Sequence, residues 1–120
     1  MVAVNTHRKL AAWEHCMELT REVYRATGRF PINERYGLSL QLQRAAVSTA
    51  ANIAEGYARY GRQELAHALS ISLGSLAEVD TLLEMASQLG YLAADEHQRL
   101  SALRDRASRA TFGLQRKVRR

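Results

Sequence analysis

Two short stretches of this 120-residue chain carry residue types that could do chemistry. Glu64 and His67 form an E-x-x-H unit, the unit that di-iron helical bundles use to bind metal. Such a site needs two of these units and two further carboxylates from other helices, whereas the sequence holds one unit. We therefore expect a solvated Glu and His near a helix end, with no metal and no other cofactor.

His15 and Cys16 are the second stretch, and on paper they form a dyad. Adjacent helical residues point about 100° apart, so the two side chains should not meet. A lone cysteine is more often a small buried hydrophobe, and it cannot form an intrachain disulfide. No phosphate-binding loop, dinucleotide-binding glycine motif or H-E-x-x-H is present. The sequence predicts no enzymatic activity, and a metalloenzyme is a distant alternative.

The strongest functional feature is the basic stretch RDRASRATFGLQRKVRR at positions 104–120. Arg dominates it, and the planar guanidinium suits phosphate groups. We expect contacts to the backbone of RNA or DNA without readout of the bases. The candidate side chains are Arg104, Arg106, Arg109, Arg116, Lys117, Arg119 and Arg120.

Charge is unevenly distributed along the chain, whose net charge is +5. Residues 63–98 hold six acidic and no basic side chains, whereas residues 99–120 hold eight basic and one acidic. This segregation favours either a polyanion partner or a match between the tail and the acidic third helix. In the second case Glu78, Asp80 and Glu84 pair with the arginines, and the protein is a scaffold for an unknown protein partner.

Helix punctuation predicts the elements that position these residues. Gly28 with Pro31, the stretch YARYGR, and Gly90 divide one domain, 1–120, into four helices. Short connections favour an all-α, antiparallel up-and-down four-helix bundle. No run is apolar enough to cross a membrane and no signal peptide is recognised, so we expect a cytoplasmic protein. The predicted helices span about 6–27, 33–58, 62–89 and 95–117.

Apolar periodicity predicts which face of each helix is buried. In the first helix the predicted face is Leu10, Trp13, Met17, Thr20 and Tyr24. In the second helix the predicted core stripe is Leu38, Leu42, Ala45, Thr49, Ile53 and Gly56.

The second and third helices each carry a further apolar facet. It consists of Leu40, Val47 and Ala54 in the second helix, and of Ile71, Ser75, Leu82 and Leu89 in the third. A helix that is apolar on two sides is buried on two sides, and a four-helix monomer covers one of them. We predict a homo-oligomer whose interface includes Leu40, Val47, Ala54, Ile71, Leu82 and Leu89. The alternative is that these small apolar side chains are tolerated on the surface.

A polar wedge separates the two facets of the second helix. Arg44 is expected to pair with Glu78 or with a carboxylate of a neighbouring subunit, and small residues should permit close helix approach. Asn52 and Glu55 are expected to hold a bend at Gly56. We interpret the set as structural rather than catalytic, because it lacks a nucleophile and base. Its members are Arg44, Ser48, Asn52, Glu55, Gly56, Gly74, Ser75 and Glu78.

These motifs together resemble the bacterial four-helix-bundle protein family, which includes the 23S rRNA intervening sequence proteins. The accessory variability determinants of diversity-generating retroelements are more distant relatives. The resemblance implies a bundle that assembles as a homopentameric ring, with no settled biochemical function. The distant relatives bind nucleic acid and a reverse transcriptase through basic ring surfaces. The resembling residues are Leu10, Trp13, Phe30-Pro31, Glu34, Tyr36-Gly37-Leu38, Gln41, Arg44-Ala45, Ser48, Asn52-Ile53-Ala54-Glu55-Gly56, Gly74-Ser75-Leu76 and Glu78.

Overall fold

The computed structural model describes residues 6–119, and within them it contains four α-helices and no strand. This confirms the all-α class and the four-helix bundle. The helices are α1 (Ala11–Thr27), α2 (Leu38–Ala58), α3 (Arg62–Gln88) and α4 (Ala94–Arg119), with short 3-10 turns at His7–Lys9 and Ile32–Glu34.

Two helices begin later than predicted because other groups bind the preceding backbone. Thr6 caps a separate 3-10 turn, so α1 starts at Ala11. The carboxylate of Glu34 accepts a hydrogen bond from the backbone N–H of Leu38 at 3.0 Å, and α2 begins there. The end of α3 agrees with the prediction. Gly90 follows the helix with a φ of 80°, the left-handed conformation of a glycine that closes a helix.

Neighbouring helices run antiparallel, as their side-chain bonds show. Thr20 of α1 donates to the carbonyl of Ala46 at 3.0 Å, and seven residues later Thr27 accepts from Gln43, so the numbering falls along α2 as it rises along α1. Between α2 and α3, Ser72 donates to the carbonyl of Thr49 at 2.8 Å and Ser75 bonds to Ser48. Further bonds join Gln115 to Ser70 across α3 and α4, and Arg99 to Glu22 across α1 and α4. The bundle is therefore up-and-down, and it is 48 Å long.

The predicted buried face of α1 was wrong by one residue. Tyr24 is exposed, and Trp13 and Met17 only flank the core. Trp13 and Met17 are instead packed against the edge of the core, where they are partly buried. The face that is buried consists of Ala12, Cys16, Leu19, Val23 and Ala26.

A polar layer crosses the middle of the core. Cys16, Thr49, Ser72 and Thr111 come from α1, α2, α3 and α4 in turn, and each is fully buried. Burial raises the pKa of the Cys16 thiol, and hydrogen bonds from the three hydroxyls partly oppose this. Across residues 6–119 every buried side-chain nitrogen and oxygen has a partner. Such a satisfied layer favours one helix register over others.

Gly56 marks the closest approach of α2 and α3. A Cβ built on it would collide with the Cβ of Ala68 and lie 3.4 Å from the Cα of Leu65. The glycine is therefore required by packing, and α2 continues straight through it to Ala58. The helix does not end at Gly56, where a bend was predicted, and the N–H of Arg59 closes its last turn by donating to the carbonyl of Gly56.

Within residues 6–119 no helix is both long enough and apolar enough to cross a bilayer.

Candidate nucleic-acid interface

One end of the bundle, here called the basic end, gathers cations from α3, from α4 and from the turns next to α1 and α2. Antiparallel packing brings together the starts of α1 and α3 and the ends of α2 and α4. The sequence interpretation found the contribution of α4 and missed the others, which are dispersed along the chain. The acidic residues at the basic end are Glu14, Glu55 and Glu64. The basic residues there outnumber them and are Arg8, Lys9, Arg59, Arg62, Arg116, Lys117 and Arg119.

At the opposite end, charges of both signs are paired. Arg29 binds Glu96 at 2.9 Å, and Arg99 binds Glu22 at 2.9 Å and Glu96 at 3.1 Å. The hydrogen bond from Arg99 is the main reason that the pKa of Glu96 lies below its ordinary value, and the charges of Arg99 and Arg29 add to it. These pairs leave little net charge at that end.

The cations of the basic end are largely without carboxylate partners. Arg116, Lys117 and Arg119 form no ion pair with any residue in 6–119. The pair at this end joins Arg59 to Glu55 at 3.8 Å, and both side chains are mostly exposed. Cations without partners on a solvated surface can bind an anion without first breaking an internal pair.

Arg62 ties the start of α3 to the end of α4. Its Nε donates to the carbonyl of Val118 at 3.1 Å. This bond orders the last turn of α4 beside the α2–α3 turn. The basic residues of α4 are therefore held in a fixed position next to those of α3.

The earlier arginines of α4 differ from those at its end. Arg104 is turned inward, where it binds Asp105 at 2.6 Å and the carbonyl of Leu76 at 3.5 Å. Its role as a phosphate ligand stays a prediction, and this pairing and partial burial make it less accessible than the arginines at the end of α4. Arg106 lies 4.0 Å from Glu18, whereas Arg109 is exposed and has no ion pair within 6–119. Arg120 lies outside the described residues.

The predicted match between the tail and α3 does not form within residues 6–119. Among residues 6–119, no arginine pairs with Glu78, Asp80 or Glu84. Arg99 and Arg106 of α4 face Glu22 and Glu18 of α1 instead, and the Nε2 of His97 lies 3.7 Å from the carboxylate of Glu84. The internal form of the scaffold hypothesis is therefore wrong for the described residues.

Three shallow depressions meet at the basic end. The first, of 470 Å³, lies between the start of α1 and the end of α4, and its lining includes Lys9 and Lys117. The next, of 410 Å³, lies under the α2–α3 turn, shares Lys117, and adds Tyr57 and Tyr60. The third, of 470 Å³, follows across Arg62 and is also lined by His67, Ser70 and Arg119. Together they form a track in which cations line all three depressions and the two tyrosines line the middle one.

The polar wedge lies where α2 meets α3. Ser48 and Ser75 share a hydrogen bond at 2.8 Å, and Asn52 donates to the hydroxyl of Ser48 at 2.9 Å. Within residues 6–119 Arg44 makes no pair with Glu78, so that predicted contact was wrong: both side chains point outward to solvent. The wedge joins two helices and contains no nucleophile beside a base.

The second facet is only partly available to a partner. Val47 and Ile71 are 44% and 42% exposed and Leu89 is 58% exposed, whereas Leu40 and Ala54 are half-buried. Leu82 is 5% exposed and belongs to the core, so its assignment to an oligomer interface was wrong. The close contact of α2 and α3 encloses this side chain within the monomer. Gly74 faces outward from α3, with nothing within 4 Å of its missing Cβ.

The residues considered for catalysis are separated by the fold. Glu64 turns its carboxylate against the backbone of Gly61, where a Cβ would collide with it. His67 instead faces the third depression. His15 lies in a surface groove with Glu14, whereas Cys16 points into the core. Within residues 6–119 no group of three or more His, Cys, Asp or Glu side chains is arranged to hold a metal ion.

Comparison with known proteins agrees with the fold. A crystal structure of a protein of unknown function from the S23 ribosomal protein family of Bacteroides thetaiotaomicron has a TM-score of 0.79 to this chain. It is 19% identical, and the match covers 88% of this chain and 95% of that one. No curated protein matches the chain. The family model described as 23S rRNA-intervening sequence protein matches residues 8–113, and the chain belongs to that family.

Proposed function

We propose that this protein is a non-enzymatic, homo-oligomeric adaptor that binds the phosphate backbone of RNA or DNA through its basic end. The observation that supports this is the separation of charge along the 48 Å bundle. At one end Arg116, Lys117 and Arg119 form no ion pair within residues 6–119, whereas at the other end Arg29 and Arg99 are paired with carboxylates. Guanidinium and ammonium groups on an open surface reach phosphates readily, and they carry no sequence information there.

The charge arrangement would cost stability if it had no partner. Like charges within a Debye length of about 10 Å repel each other, and a polyanion relieves that repulsion. Binding would release counterions, so affinity should fall linearly with the logarithm of salt concentration. Backbone binding of this kind predicts similar affinity for unrelated sequences.

Charge reversal tests the proposal. The double variant Lys117→Glu, Arg119→Glu should weaken binding to any nucleic acid and lower the salt slope by about 1.4–1.8, since each phosphate contact contributes about 0.7–0.9. A matched control, Arg21→Glu with Arg35→Glu, makes the same change in net charge at exposed residues away from the basic end. If both double variants bind alike, net charge and not the basic end governs binding. Absence of binding by the wild type at low salt would refute the proposal.

Assembly is the second part of the proposal. Val47 and Ile71 lie on adjoining helices and leave apolar surface exposed beside Gly74. Glycine inside an exposed helix costs about 1 kcal/mol relative to alanine, so a monomer gains nothing from it. A neighbouring subunit packed against this facet would account for both features. In the five-fold ring that the family resemblance implied, the basic end would be repeated, and avidity would follow.

Light scattering tests assembly. The wild type should have a mass that is a multiple of 13.5 kDa. The double variant Val47→Glu, Ile71→Glu should have a lower mass than the wild type. It should remain helical, because neither residue lies in the core. Tyr24→Glu changes an equally exposed apolar residue on α1 and should leave the mass unchanged. A monomeric wild type would refute this part and leave nucleic-acid binding to be judged separately.

A further inference from the structure

Tyr60 occupies an unusual position in the turn between α2 and α3. Its ring is 93% exposed, and its backbone φ is 57°, in the left-handed region that glycine and asparagine adopt with less strain. Neither burial nor backbone preference explains a tyrosine here. Strained residues kept at such positions point to a use of the side chain.

The surroundings of Tyr60 indicate what that use is. Tyr60 and Tyr57 line one depression together with Arg62 and Lys117, so aromatic side chains and cations share the same surface. The same cations continue into the neighbouring depressions, past Lys9 on one side and Arg119 on the other. A ligand that matches this track must present repeated negative charges and flat groups at intervals.

From this arrangement we infer that the basic end binds single-stranded nucleic acid, with an unpaired base stacked on Tyr60. This inference rests on the proposed function and names its ligand class. Phosphates would contact Arg62 and Lys117, and the base would lie on the exposed ring. Duplex bases are stacked on each other and cannot reach the ring, whereas every unpaired base has a free face. Selectivity for single strands therefore follows from the tyrosine, and affinity for phosphate follows from the cations.

Anisotropy titrations with labelled oligonucleotides of about 12 nucleotides test the inference. Single-stranded RNA, single-stranded DNA and a DNA hairpin serve as the three ligands, and a non-nucleotide linker closes the hairpin so that it has no unpaired bases. The main variant is Tyr60→Asn, which removes the ring and suits the left-handed backbone, so the fold should be retained. It should bind both single strands about fivefold to 150-fold more weakly and bind the hairpin as the wild type does. Tyr60→Phe retains the ring face and should bind as the wild type.

Tyr36→Ala is the matched control, because Tyr36 is 82% exposed in the loop before α2, far from the basic end. It should bind like the wild type. A single strand carrying a fluorescent adenine analogue gives a direct signal, since stacking on Tyr60 quenches its emission. The quenching should disappear in Tyr60→Asn and persist in Tyr60→Phe.

The outcomes separate this inference from the proposed function. If Tyr60→Asn binds single strands as tightly as the wild type while charge reversal still abolishes binding, the inference is wrong and the proposed function stands. If the wild type prefers the hairpin, the inference is also wrong. If the wild type binds none of the three ligands at low salt, both fail.

Discussion

Replacing Gly56 by alanine should destabilise the bundle. The new Cβ would collide with the Cβ of Ala68, and it would already be in contact with the Cα of Leu65, 3.4 Å away, on its other side. Neither neighbour can rotate aside, because both contacts are at or next to the backbone, so the helices must separate. Overpacking of this kind costs about 1–3 kcal/mol, and the better helix propensity of alanine offsets up to about 1 kcal/mol. The net loss should be about 1–2 kcal/mol.

Thermal and urea denaturation, followed by circular dichroism at one protein concentration, measure this loss. For a domain of this size the expected decrease in Tm is about 4–10 °C. Constant concentration matters because assembly makes Tm depend on it. Gly113→Ala is the matched control, since nothing lies within 4 Å of its missing Cβ and the residue is exposed inside α4. It should raise stability by about 0.5–1 kcal/mol.

A second substitution identifies the cause. Ala68→Gly removes the atom that a Cβ on Gly56 would meet, so it should cost stability alone and recover part of the loss in Gly56→Ala. The double-mutant cycle should give a coupling of about 1 kcal/mol. If Gly56→Ala instead behaves like Gly113→Ala, or the two positions are additive, the close approach of α2 and α3 at this point is refuted.

Three further predictions concern individual side chains. The thiol of Cys16, whose pKa is raised by burial, should react with a disulfide reagent only at the rate of unfolding, and rapid reaction of the native protein would contradict its burial. Hydrogen bonds from the backbone N–H of Leu38 and from the hydroxyl of Tyr91 hold the pKa of Glu34 below its ordinary value. These bonds therefore stabilise the folded protein fully at a pH above the ordinary pKa of a glutamate. Their contribution is lost as the pH falls through the lowered pKa of Glu34. Urea titrations should show that Glu34→Gln lacks this part of the acid sensitivity, and an unchanged pH profile would count against it. Asn52→Ala should lower the free energy of unfolding by about 0.5–1.5 kcal/mol, because it removes the hydrogen bond to Ser48. Glu55→Gln, at an exposed position, should change it by less than about 0.5 kcal/mol. Equal effects of the two variants in denaturation would contradict the bond between Asn52 and Ser48.

The sequence alone determined the four helices and their breaks. Helix propensity, apolar periodicity and punctuation are local properties, which is why the ends near Gly28, Gly61 and Gly90 could be placed. The same local information predicted the core stripe of α2, since one face of that helix is continuously apolar. It also marked the basic stretch at the end of α4, because those residues are neighbours in the chain.

The tertiary structure decided what depends on helix rotation and register. Two neighbouring faces of α1 are both apolar, and only packing against the other helices selected the one with Cys16. Leu82 fits either face of α3 by pattern, and the approach of α2 placed it in the core. The basic end arises because antiparallel helices bring Lys9, Arg62 and Lys117 together from distant parts of the chain. No local pattern encodes such a meeting, since it is fixed by the sum of many weak contacts between helices.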